Sequence, residues 1–111
     1  MVYAFGGVST PGANTTSAEL NTGDYQYAPR KGVLTVVAKG SAAGINAQLS
    51  VGGVQVINDQ PVIFVGTTGT ATVRDNVIAQ VGVNQGSKIS FKLRNTTATA
   101  GTTCDYMAFF D

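Results

Sequence analysis

The sequence predicts an all-β protein, a sandwich or barrel of about eight short antiparallel strands behind an extended N-terminal arm. Three observations carry this. Residues 88–94 alternate strictly, with Ile89, Phe91 and Leu93 on one face and Lys88, Ser90, Lys92 and Arg94 on the other. Such alternation marks a half-buried strand, because successive side chains point to opposite faces of the pleat. Glycine- and asparagine-containing turns recur at the short spacing of an all-β domain, and no stretch carries a helical period of any length.

Residues 6–31 are the least regular part, punctuated by Pro11, Gly12, Asn14, Gly23 and Pro29 in a Thr/Ser-rich run. They read as the arm, with a short strand at 25–27 and no more than a helical turn at 17–20. Residues 1–31 therefore form an N-terminal strand and arm, and residues 32–111 the β domain. Residues 33–38 are a short apolar run, buried on both faces or at an interface. In 45–51, Ile45, Ala47, Leu49 and Val51 alternate with Asn46, Gln48 and Ser50. Gly52-Gly53 supplies the positive φ of a two-residue hairpin turn into 54–57. Asn58-Asp59-Gln60-Pro61 reads as a turn, followed by strands at 62–65, 71–73 and 77–83. The turn at 84–86 leads into 88–94, and a Thr/Ala loop at 95–101 precedes the closing strand at 103–110.

At 111 residues and 11.4 kDa the chain is one compact unit with a modest core. Charged residues are 12% of the chain and the formal net charge is +1. A surface finished with Thr, Ser, Asn, Gln and Gly loses little hydration on contact, and little charge opposes association. Nucleic acid is not expected as the main partner, since its binding rests on a clear basic excess. A single cysteine leaves no internal disulfide. No apolar stretch approaches a membrane span, and the N-terminus lacks the pattern of a signal peptide, so synthesis in the cytoplasm is expected and a membrane is not.

Chemistry is scarce. There is no histidine, and Cys104 has neither a base to make it a nucleophile nor partners to hold zinc. It reads as a structural residue of the last strand. Asp59 and Asp75 sit beside asparagines, which suits turns better than calcium. Gly40-Ser41-Ala42-Ala43-Gly44 lacks the Gly-Lys-Thr/Ser ending of a phosphate loop. No catalytic residue, metal or cofactor is expected.

Two surface features remain. Lys88, Lys92 and Arg94 form a basic cluster on one strand face. It would suit an acidic partner surface or encapsidated nucleic acid, and equally a solvated face whose lysines discourage wrong pairing. Second, several strands are apolar on both faces: Val33 and Val37, Ile63 and Val65, and Met107 and Phe109 lie opposite apolar neighbours. These six are the candidate interface residues. Either a subunit interface or the 6–31 arm would cover them.

The stretch 81–95, with its turn at Gly86 and strand 88–94, resembles the penultimate strand of small jelly-roll modules, and 103–110 resembles their final strand. With Val51-Gly52-Gly53-Val54 and Asn58-Asp59-Gln60-Pro61, residues 32–111 are similar to short virion proteins of bacterial viruses, of the single jelly-roll capsid, vertex or head-decoration type. The helices that close small RNA-phage coat proteins are missing. The resemblance implies a jelly-roll-like sandwich, a virion location, and a non-enzymatic structural role through contacts with itself, as a trimer, and with other capsid proteins. It also implies an arm that packs on a neighbour. The alternative is a carbohydrate- or receptor-binding fibre or lectin-type module, disfavoured by the absence of tryptophan and by loops made of Thr, Ala and Gly.

Overall fold

The computed structural model describes residues 2–63 and 77–111. The expected strand at 71–73, the loop at 67–70, Val65 and Asp75 lie outside these residues. Seven strands are present: β1 (Val2–Ser9), β2 (Gly32–Gly40), β3 (Ile45–Val51), β4 (Val54–Pro61), β5 (Val77–Val83), β6 (Ile89–Asn95) and β7 (Cys104–Phe110). They form two antiparallel sheets, a four-stranded one in the order β1-β7-β2-β5 and a three-stranded one in the order β4-β3-β6. No helix among the described residues is long and apolar enough to cross a membrane.

If the arm that crosses to the smaller sheet between β1 and β2 is counted as a strand, the chain changes sheet at every connection except the β3–β4 hairpin, and its first strand lies beside its last. That wrapping is jelly-roll-like. The arm takes the place of the eighth strand. Between β1 and β2 it crosses to the smaller sheet and runs along the outer edge of β6, with isolated bridges Thr16–Arg94 and Tyr27–Lys88. Main-chain bonds join Ser17 N–H to Leu93 O (2.8 Å), Leu20 N–H to Phe91 O (2.9 Å) and Asn95 N–H to Thr15 O (3.0 Å). The expectation that this segment packs on a neighbour is therefore corrected: it seals an edge of its own sandwich. An open edge needs partners for its N–H and C=O groups, and the arm supplies them.

Because the arm is irregular, side chains complete what its backbone does not reach. Ser17 Oγ accepts the Leu93 N–H (3.1 Å), and the Glu19 carboxylate accepts the Phe91 N–H (2.7 Å). Glu19 also takes the Ser90 hydroxyl and the Asn21 N–H. Asn21, fully buried, donates to Tyr25 O and Ile89 O. Residues 17–20 form no helical turn, and the strand expected at 25–27 is instead a short 3₁₀ turn, Asp24–Gln26.

The Gly52-Gly53 hairpin stands as expected, with φ of 59° and 83°. The turn expected at 58–61 is a correction. Asp59 does adopt a turn-like φ of 52°, but as a bulge within a strand that continues to Pro61. A proline is tolerated there because β4 is a sheet edge. Val62 and Ile63 follow as irregular chain, not as a strand.

The core lies between the sheets. Leu34, Val36, Ala108 and Phe110 face Ile45, Leu49, Ile89, Phe91 and Leu93. Phe5 and Tyr106 of the larger sheet meet Phe91 of the smaller, with centroids 5.9 and 5.6 Å away, and each other at 6.4 Å. Each such side chain, fully buried, contributes roughly 1.5–3 kcal/mol.

Candidate functional site

The two sheets present opposite outer surfaces, and the register fixes which residues share each. On the three-stranded sheet, Ser50 pairs with Ser90, Gln48 with Lys92 and Asn46 with Arg94. This face is polar throughout. It carries two members of the predicted basic cluster, but Arg94 is answered across the sheet by Asp59. Arg94 Nε lies 2.9 Å from Oδ1 and Nη2 lies 2.5 Å from Oδ2, and Gln48 also donates to Oδ1. Lys88 stands outside β6, opposite Tyr27. On this face the basic cluster is thus reduced to Lys92 beside the Arg94–Asp59 pair.

The hydrogen bonds from Arg94 hold the Asp59 carboxyl below its ordinary value of 3.8. A lowered folded-state value means that the charged form stabilises the fold above the unfolded-state value, and that this is lost as pH falls through the folded one. Asp59→Asn keeps a residue that tolerates positive φ and removes the charge. Melts of the two proteins should therefore differ at pH 7, and the gap should narrow as pH falls below the ordinary carboxylate value of about 3.9. A gap that did not narrow on acidification would show that the pair's charge is not its cause.

The four-stranded sheet is different. Cys104, Tyr106, Ala108 and Phe110 of β7 point into the core, so Met107 and Phe109 point outward; on β2, Leu34, Val36 and Ala38 point inward, so Val33, Thr35 and Val37 point outward. Across the sheet the register places Tyr3, Phe109, Thr35 and Gln80 in one row, and Gly6, Met107, Val37 and Val77 in the next. Tyr3 packs edge-on against Phe109 with centroids 6.3 Å apart. A third row, Val8, Asp105 and Lys39, closes this end of the patch with two adjacent, opposite charges, and Asp111 lies beside Val33 at the other end.

Four of the six predicted interface residues thus share one surface: Val33, Val37, Met107 and Phe109. Val37 and Thr35, although on this side of the sheet, are already buried within the subunit and offer no surface to a partner. Ile63 lies elsewhere, 51% exposed at the mouth of a cleft of about 200 Å³ between the sheets, with Ala47, Ile57, Pro61 and Val77. Among the described residues no charged side chain lines that cleft. The residues missed in the sequence are Tyr3 and Val8, which reach the patch only because β1 pairs with β7.

Among the described residues no three histidine, cysteine or acidic side chains gather where a metal could bind. Cys104 is fully buried, and burial pushes its thiol up to about 12, which leaves it protonated and unreactive near neutral pH. The loop after β6 is closed on itself: Asn95 Oδ1 accepts from Thr97 N–H and Oγ1, and its Nδ2 donates to Thr99 O and Pro11 O.

The fold and this surface define a class, an all-β sandwich with one polar and one apolar outer face. No protein-family model matches the chain, and comparison with curated proteins and with solved structures returns no match.

Proposed function

We propose that the chain is a non-enzymatic structural protein of a phage virion, building or decorating the capsid through contacts with copies of itself and with other capsid proteins. The observation that carries this reading is the contrast between the two outer faces. A four-stranded sheet with Tyr3, Met107, Phe109, Val33 and Val77 on its outer side suits burial against another subunit, while Ser, Gln and Asn on the opposite side suit solvent. The jelly-roll-like wrapping and the low charge support the virion assignment. The loop at 95–101 spends its polar groups on itself, which leaves the lectin-type reading without a favouring feature.

Sedimentation of the purified chain tests the reading. A mass of three chains is expected. A single 11.4 kDa species at high protein concentration would overturn it.

A further inference from the structure

We infer that β1 is a second, separate assembly site, whose free edge pairs antiparallel with β1 of another copy of this chain across a two-fold axis. The inference rests on the homo-oligomeric reading above and adds a contact to it. Its ground is the unequal treatment of the sheet edges; β5, the other edge of the larger sheet, also lacks charge and proline, but it exposes one large apolar side chain, Val77, where β1 exposes three. The β6 edge of the smaller sheet is covered by the arm, with main-chain bonds and the Ser17 and Glu19 side chains. The β4 edge is broken by two register shifts, by Asp59 at positive φ and by Pro61. Bulges, charge and proline are the devices by which proteins keep an edge from pairing.

β1 has almost none of these. Its sequence, Val-Tyr-Ala-Phe-Gly-Gly-Val-Ser, contains no acid, base or proline. One bulge falls between Tyr3 and Phe5, and beyond it residues 5–9 run in unbroken register against β7. Among the described residues, β1 makes backbone hydrogen bonds to β7 and to no other segment. Its apolar side chains are left in solvent as well: Val2 is 48%, Tyr3 55% and Val8 65% exposed.

A second copy is the occupant that fits. A strand paired antiparallel with itself obeys a two-fold axis, so each contact occurs twice. Having no charge, β1 meets no like charge in its own mirror partner, which a charged edge would. Pairing would also join the apolar outer faces of two four-stranded sheets at the Tyr3 side. Five residues give only a few main-chain bonds, so the contact is weak in a single pair and effective when repeated around a closed shell.

Amide hydrogen exchange with mass spectrometry tests this on the intact chain. Exchange at residues 5–9 should slow at least tenfold as protein concentration rises, and Val8→Lys should abolish that dependence while leaving the circular dichroism unchanged. Val8 is exposed and next to Asp105, so lysine there fits the folded subunit. Exchange at 5–9 that ignores concentration, or that behaves alike in Val8→Lys, would overturn the edge contact, a foreign strand as its natural occupant included. The two proposals separate through different readouts. Concentration-dependent slowing at 5–9 that persists in Phe109→Asp leaves the edge standing without the face; a three-chain mass with no such slowing leaves the face and removes the edge. A wild-type chain that stays monomeric at every concentration removes both.

Discussion

Phe109→Asp should weaken self-association by at least about 100-fold and leave a folded subunit that sediments as one chain or as the two-chain edge pair. Phe109 stands in one row of the apolar face with Tyr3 on β1 and Thr35 on β2. Truncating a central aromatic anchor of an interface typically costs 2 kcal/mol or more, about 30-fold. A carboxylate in its place adds the cost of removing a charge from water, several kcal/mol where no cation meets it. Among the described residues the register places the cation Lys39 on this face, already beside Asp105. Within the subunit the loss is smaller, because Phe109 is only partly buried and its edge-on contact with Tyr3 is worth about 0.5–1.5 kcal/mol. Met107→Asp, one row along, should act the same way. Asp59→Asn, on the polar face, should leave association unchanged. If Phe109→Asp and Met107→Asp assembled like the wild type, the outer face would not be the contact surface.

The residues that could be read in advance are those whose environment is set by local alternation. Residues 45–51 and 88–94 show one buried and one polar face in sequence and in structure alike, and Met107 and Phe109 stand out because they interrupt that pattern. An N-terminal strand was expected, but not which of its residues face outward, because the bulge in β1 buries Ala4 and Phe5 in succession and destroys the period of two. In 58–61 the local chemistry was read correctly and its consequence was not: Asp59 turns the chain, but inside a ladder that β3 holds in register. The Asp59–Arg94 pair spans two strands and 35 positions, so only the order β4-β3-β6 makes it visible. The role of the arm was hidden for the same reason. Its ladder partners lie more than 70 residues away, and nothing in a Ser/Thr-rich run announces them.

Glu19→Ala should be the most damaging single change in the arm, lowering stability by about 2–4 kcal/mol, since hydrogen bonds to a charged group contribute about 1.5–3 kcal/mol each and water replaces part of what is lost. One carboxylate accepts the Phe91 N–H at 2.7 Å, the Ser90 hydroxyl, and the Asn21 N–H at 3.2 Å. It thereby ties the arm to β6 at the point where the arm's own backbone cannot continue the ladder. Alanine leaves the Phe91 N–H facing a gap on an edge that the fold otherwise closes. Asn21 next to it has no reserve: its Oδ1 is buried without a hydrogen-bond partner, while its two N–H groups already hold Tyr25 O and Ile89 O. For a domain of this size the melting temperature should fall by roughly 10–15 °C. Glu19→Gln keeps one acceptor oxygen and should fall about half as far. Hydrogen exchange gives the sharper signature, because the loss should be local before it is global. The amides of Phe91 and Leu93 should exchange faster in Glu19→Ala, while those of β7 and β2, in the centre of the other sheet, should follow global stability alone. A melting temperature within about 2 °C of the wild type, well under 1 kcal/mol at this size, together with unchanged exchange at Phe91, would show that the arm holds β6 without its carboxylate.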